Sequence, residues 1–156
     1  MAKHGAPQLH VDGSNLNVAI IAGSWHTTVM QGLIDGATTT LEAVGASHRL
    51  ITVAGSFEIP LAAQAALATD YDAVVCLGVI IRGETPHFDF VADAVTSGLT
   101  RVQLDAGKPV GFGILTVDND AQALDRAGLA DSEESKGQEA AEAAVQLAVT
   151  VRDLSE

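Results

Sequence analysis

DAVVCLGVIIRGETPHFDF, residues 72–90, runs from an unbroken apolar stretch straight into an arginine, a glycine, a glutamate, a threonine, a proline and a histidine. The apolar part, 72–81, is β-branched and continuous rather than alternating, as expected of a parallel strand covered on both faces. Three further runs have the same character: LNVAIIAG (16–23), RLITVAG (49–55) and PVGFGILTV (109–117). All four are expected to be fully buried strands. Between them the period changes. In 29–44, Val29, Met30, Leu33, Ile34, Ala37, Leu41 and Val44 fall three or four apart, the stripe of an amphipathic helix. The alanine-rich stretch 59–70, with Pro60 near its first turn, is a helix by propensity. Helical spacing returns over 87–107, with Phe90, Val91, Ala94, Val95, Leu99 and Val102 on one side and Gly107 and Pro109 as a stop. A short helix is expected over 120–128, ended by Gly128, and a long amphipathic one over 138–154.

Strands that alternate with helices form a parallel sheet with helices on both faces. The expected architecture is a flavodoxin-like three-layer α/β/α sandwich around a four-stranded parallel sheet. The segment LHVDG (9–13) is a candidate for an additional strand, in its own subunit or a neighbour's. A chain of 156 residues with no repeat and no linker is expected to be one domain over 1–156, with 1–14 a flexible or partner-contacting arm.

With 47% hydrophobic and 18% charged residues the chain is too apolar to be disordered. It has no apolar stretch long enough for a membrane helix and no apolar segment near its amino terminus that would mark a signal peptide, so a cytoplasmic protein is expected. The single cysteine, Cys76, lies inside AVVCLGV, where burial is expected and an internal disulfide is impossible. Twenty acidic against eight basic residues give a net charge of -12, which disfavours a nucleic-acid partner. A small anion could still be held where the few cations and free backbone N–H groups are pooled. Arg82, Arg126 and Lys136 are the cations to locate.

Ligands of open parallel sheets bind beyond the carboxyl ends of the strands. Here those ends are GSWHTT (23–28), GSFEIP (55–60), IRGETPHFD (81–89) and TVDND (116–120). In the third, Gly83 permits a sharp exit, and Thr85 and Pro86 suit the cap and first turn of a helix whose free N–H groups would cradle an anion. An ordinary N-cap is the plain alternative, and Glu84 opposes a bound phosphate unless its side chain turns away. His87, in the first turn, is either structural or a proton carrier beside the anion. In the second, Gly55 and Ser56 let a ligand approach backbone amides. Glu58 is either an acceptor for the hydroxyls of a polyol or a partner of the following helix dipole. Trp25, the sole tryptophan, either stacks on a flat heterocycle or plugs the core. Arg126 and Lys136 sit in acidic surroundings, as surface ion pairs or as groups that reach a phosphate. There is no nucleophile elbow, no Walker lysine, no dinucleotide glycine fingerprint and no zinc spacing.

Taken together, LNVAIIAGSW (16–25), GSFEIP (55–60), GVIIRGETPHFDFV (78–91), GILTVDNDAQALDRAG (113–128) and SKGQEAAEAAV (135–145) resemble the lumazine synthase family in order and spacing, over nearly the whole chain. The resemblance implies a transferase of riboflavin biosynthesis. It would condense 5-amino-6-(D-ribitylamino)uracil with 3,4-dihydroxy-2-butanone 4-phosphate to 6,7-dimethyl-8-ribityllumazine, phosphate and water, with no metal or organic cofactor. Carried over by position, Trp25 stacks on the pyrimidine, Ser56, Phe57 and Glu58 line the ribityl site, and Ile80 and Ile81 border the uracil. Gly83, Glu84 and Thr85 match the phosphate loop, Arg126 its cationic clamp, and His87 the proton carrier. Phe112, Arg126 and Lys136 match positions supplied by an adjacent subunit, which implies a homo-oligomer. Relatives form pentamers, decamers or sixty-subunit shells. The shell formers usually have a short glycine-containing loop between the last two helices, whereas GLADSEESKG (128–137) is longer and acidic, so a free pentamer is expected. The rival readings are a non-catalytic flavin- or lumazine-binding protein and a shell scaffold.

Overall fold

Side chains alternate between the two faces of a strand, so a strand that is apolar at every position needs cover on both. Two helical layers provide it. The computed structural model describes residues 10–156. In chain order these form β1 (Asn17–Gly23), α1 (Thr27–Ala43), β2 (Ser47–Val53), a 3-10 turn (Ser56–Glu58), α2 (Ile59–Leu67), β3 (Ala73–Ile81), α3 (His87–Ala106), β4 (Val110–Val117), α4 (Asp120–Asp125) and α5 (Lys136–Leu154). All strand pairs are parallel, in the order β2-β1-β3-β4. This is the flavodoxin-like arrangement, a three-layer α/β/α sandwich.

The layers divide the core in two. Val18, Ile20 and Ala22 of β1 and Val75, Leu77 and Val79 of β3 pack with Leu33 and Leu41 of α1 and Ala141, Ala144 and Val145 of α5. Their strand neighbours Ala19, Ile21, Val74, Cys76 and Ile80 point the other way, into Ile59 and Ala63 of α2 and Val95 and Leu99 of α3. Burial pushes the Cys76 thiol pKa far up, so the one cysteine is packing and not a nucleophile.

Burial on both faces holds for β1 and β3, fails for β2, and is incomplete in the other edge strand, β4, where Phe112 and Thr116 are exposed. β2 occupies a sheet edge with β1 as its one neighbour, and Leu50 is 45% exposed. Its sequence, SHRLITV, opens with three polar residues where those of β1 and β3 are apolar almost throughout. The apolar stripe of α3 is also turned from the expected one. Phe88, Val91, Ala92, Val95, Leu99 and Val102 face the core, while Phe90 is 73% exposed. Residues 1–9 of the expected arm lie outside the described residues. Residues 10–13 add no strand to this chain's sheet: Gly13 N donates to Val44 O at 2.8 Å and Ser14 N to Asp12 Oδ1 at 3.0 Å, a turn leading into β1. No described helix is long and apolar enough to cross a membrane.

The first turn of α5 meets α1 backbone to backbone, because a Cβ on Gly137 would overlap the Leu33 carbonyl oxygen. Alanine gains about 1 kcal/mol of helix propensity over glycine, but overpacking of this kind costs about 1–3 kcal/mol and forces the helices apart. Gly137→Ala should therefore lower the urea midpoint. Gly83→Ala, with nothing within 4 Å of its added methyl, should leave the midpoint unchanged.

Candidate active site

The exits of β1, β2 and β3 converge. Ser24 N donates to Ala54 O at 3.2 Å and Ser24 Oγ to Val53 O at 2.6 Å, so the first two exits are tied together. Trp25 then lies against Gly55, where an added Cβ would sit 3.2 Å from indole Cδ1 and Nε1. Ser56 Oγ similarly comes close to the backbone of Gly78 on β3. These close approaches open a cleft of about 470 Å³. Trp25, Ser56, Phe57, Glu58, Ile80, Ile81, Gly83, Thr85 and His87 all line it. A larger depression of about 850 Å³, bordered by His10, Asp35 and Glu142, collects no strand end and no aromatic side chain.

Trp25 is 69% exposed, which rules out the core plug and leaves an indole face presented to the cleft. Glu58 stands at the N-cap position of α2 but makes no capping hydrogen bond, so both its oxygens remain available as acceptors. Ile80 and Ile81 form an apolar floor.

At the third exit the cap expected from Thr85 is barely made. Pro86 occupies the N-cap of α3 with no side-chain cap, and His87 N reaches Thr85 Oγ1 only at 3.5 Å. The N–H groups of His87 and Phe88 are thus left for an outside acceptor, at the positive end of a 20-residue helix, while Asp89 N and Phe90 N donate to Pro86 O at 3.0 and 3.4 Å. Gly83 is not in the left-handed region; its contribution is the open space beside it rather than a special backbone angle. Glu84 is exposed and does not line the cleft.

The cations divide differently from expectation. Arg82 is committed: its Nε lies 2.9 Å from Asp118 Oδ1, its Nη1 3.5 Å from Asp89 Oδ1, and its guanidinium 4.4 Å from the centre of the Phe88 ring. The hydrogen bond that Arg82 donates to Asp118, with the charge of Asp89, raises its pKa further above the ordinary arginine value. Arg126 and Lys136 share Glu134: Arg126 Nε lies 3.7 Å from Oε2 and Lys136 Nζ 3.1 Å from Oε1. Arg126 Nη1 also donates to Gln122 O at 2.9 Å, and Lys136 pairs with Glu139 at 3.3 Å. Neither lines the cleft, and neither does Phe112, which is 47% exposed on edge strand β4. Within one chain, Arg126 and Lys136 are ion-paired side chains, and the predicted site is divided into two separate groups.

Four cleft residues escaped the sequence reading: His26, Val79, Phe88 and Val91. His26 has φ 58° and ψ 65°, the one non-glycine residue with positive φ among those described, and its carbonyl accepts Met30 N at 2.9 Å to start α1. Its place in GSWHTT was the available signal. No local pattern marks a left-handed histidine.

A parallel sheet of order 2-1-3-4, with a cleft where the ends of its strands diverge, defines a small-molecule-binding α/β protein of the flavodoxin-like class. Residues 15–152 match the family model described as 6,7-dimethyl-8-ribityllumazine synthase. The chain is 58% identical over 156 residues to the 6,7-dimethyl-8-ribityllumazine synthase of Leifsonia xyli subsp. xyli, with 99% of each chain covered. It is 55% identical to that of Clavibacter sepedonicus (97% of each chain) and 51% identical to that of Streptomyces coelicolor (100% of this chain, 98% of the relative). The chain belongs to the 6,7-dimethyl-8-ribityllumazine synthase family.

Because Trp25 is the sole tryptophan, emission excited beyond the absorption of Tyr71 reports this cleft alone. Its emission should be that of a solvated indole and should be quenched by iodide. A blue-shifted emission that iodide does not touch would place the indole in a dry interior.

Proposed function

We propose that this chain condenses 5-amino-6-(D-ribitylamino)uracil with 3,4-dihydroxy-2-butanone 4-phosphate to 6,7-dimethyl-8-ribityllumazine, phosphate and water. The observation that carries the reading is the single cleft in which an exposed indole, an acceptor-only carboxylate, bare helix amides and a histidine face one another, in a chain of this family.

Trp25 stacks on the pyrimidine, Ile80 and Ile81 support its edge, and Ser56, Phe57 and Glu58 receive the ribityl chain. The phosphate of the four-carbon substrate sits on the loop of Gly83, Glu84 and Thr85, held by its amides and by the Thr85 hydroxyl, at the amino end of α3. This places the pyrimidine's amine next to the ketone. Amine addition to the ketone with loss of a first water, elimination of phosphate, and closure by the ribityl-bearing nitrogen onto the carbonyl that the elimination generates, with loss of a second water, need orientation and proton movement, not a strong nucleophile. Holding two reactants in place can supply about 7–11 kcal/mol at the upper limit, more than one acid–base group contributes. His87 carries protons beside the leaving phosphate.

Phe112, Arg126 and Lys136 complete the site of the next subunit, with Arg126 closing on the phosphate. Support for assembly comes from apolar side chains that one chain leaves in water: Phe57, Leu61, Phe90, Leu104 and Phe112. We infer a cytoplasmic homopentamer. The acidic segment between α4 and α5 is closed on itself by Gly128 N to Glu134 O at 2.9 Å and Glu134 N to Asp125 O at 3.0 Å, a folded connection rather than a short turn.

The direct test is to mix the two substrates and follow lumazine fluorescence. Product formation is expected, and ligand binding without product would leave only a binding protein. His87→Ala should slow turnover about 100- to 10,000-fold while product still forms, the range for removal of one positioned acid–base group. Complete loss in a folded variant would make His87 indispensable and contradict the orientation-dominated account. Sedimentation should give the mass of five chains, and sixty would refute the free pentamer.

A further inference from the structure

We propose that Arg82 is a positioning residue for the phosphorylated substrate, acting by fixing the loop and the cleft wall rather than by touching the anion. The inference rests on the reading that residues 83–85 seat the phosphate.

Beyond Ile81 the chain leaves the sheet with little to hold it. Residues 82–87 are all exposed, and nothing lies within 4 Å of a Cβ built on Gly83. The segment is therefore placed by its two ends, and Arg82 fastens both. Its backbone N–H donates to Val117 O at 2.9 Å, one step past the last pair of the β3–β4 ladder. Its side chain then crosses between elements, with Nε on Asp118 just after β4 and Nη1 on Asp89 in the first turn of α3. The guanidinium also covers Phe88, whose ring is part of the cleft wall. Asp118 is itself fixed, since its N–H donates to Gln122 Oε1 at 2.7 Å and Gln122 N donates to Asn119 Oδ1 at 2.9 Å.

Charge separates this role from direct phosphate binding. Two carboxylates face the one guanidinium, so the group presents no net positive charge to an anion, and Arg82 does not line the cleft. A single exposed ion pair does little. Here a planar fork spans two carboxylates while stacking on a ring, a combination that the compact ammonium of lysine does not reproduce.

The test compares Arg82→Gln, Arg82→Lys, Asp118→Asn and the Arg82→Gln/Asp118→Asn double variant, with Thr85→Ala as a check on the phosphate loop. Arg82→Gln should raise the KM for the butanone phosphate roughly three- to tenfold, the scale of one or two exposed charge contacts, and leave the pyrimidine KM within about twofold. Arg82→Lys, which keeps the charge, should recover only part of the loss. The double variant should be no worse than Arg82→Gln alone, because the two changes break one contact. Unchanged KM values, equal rises for both substrates, full recovery by lysine, or additive losses in the double variant would each overturn the proposal. If Thr85→Ala leaves the butanone phosphate KM unmoved, the phosphate-loop reading falls, and the role of Arg82 falls with it.

Discussion

A strand covered on both faces has no room for a charge along its length, because an ion buried in an apolar layer costs far more than packing returns. β3 is such a strand, buried from Ala73 to Ile80. Its polar chemistry is forced to its end, and the residues after Ile81 change at once from apolar to Arg-Gly-Glu-Thr-Pro-His. The same constraint applies to β1, which is buried up to Gly23 and followed by Ser24 and Trp25. Because β1 and β3 are adjacent in the order β2-β1-β3-β4, their exits border one crevice, and that is where the cleft lies.

Charge imposes the second constraint. A chain of net charge -12 repels the phosphate it is proposed to bind, so the anion needs local donors. One chain offers bare amides at the start of α3 and keeps its cations elsewhere: Arg82 on Asp118 and Asp89, Arg126 and Lys136 on Glu134. Glu134 Oε1 is buried and faces the Lys136 ammonium at 3.1 Å, while Oε2 faces Arg126 at 3.7 Å, which holds the two cations together. In the proposed pentamer, a head-to-tail contact that brought this group and Phe112 to the next chain's cleft would supply the missing charge and close a ring, the kind of heterologous interface that cyclic assemblies use.

Much of this was legible from residue order. Continuous apolar runs located all four strands, and three- or four-residue spacing located the helices, because both patterns follow directly from which faces need cover. Burial was less legible. RLITV looks apolar enough for a central strand, but the consecutive polar residues Ser47, His48 and Arg49 that open β2 suit an edge, and Phe90 shares helical spacing with core positions while lying outside their arc. At the site, Trp25, Ser56 and Glu58 could be read because strand ends are where ligands go, while Phe57, Ile80 and Ile81 were implied by the family resemblance. The backbone angle of His26 and the commitment of Arg82 to Asp118 could not, since both depend on contacts between segments far apart in sequence.

The central claim is that the cleft at the ends of β1, β2 and β3 is half of a site and that the next subunit supplies the remainder. A crystal structure of the protein with a ribitylated pyrimidine analogue and inorganic phosphate tests it most directly. The account predicts the ring against Trp25, the phosphate on the amides of residues 83–85, and Arg126 of an adjacent chain turned from its own Glu134 toward that phosphate. A ligand bound away from Trp25, or a filled cleft with no neighbouring chain at its mouth, would contradict it.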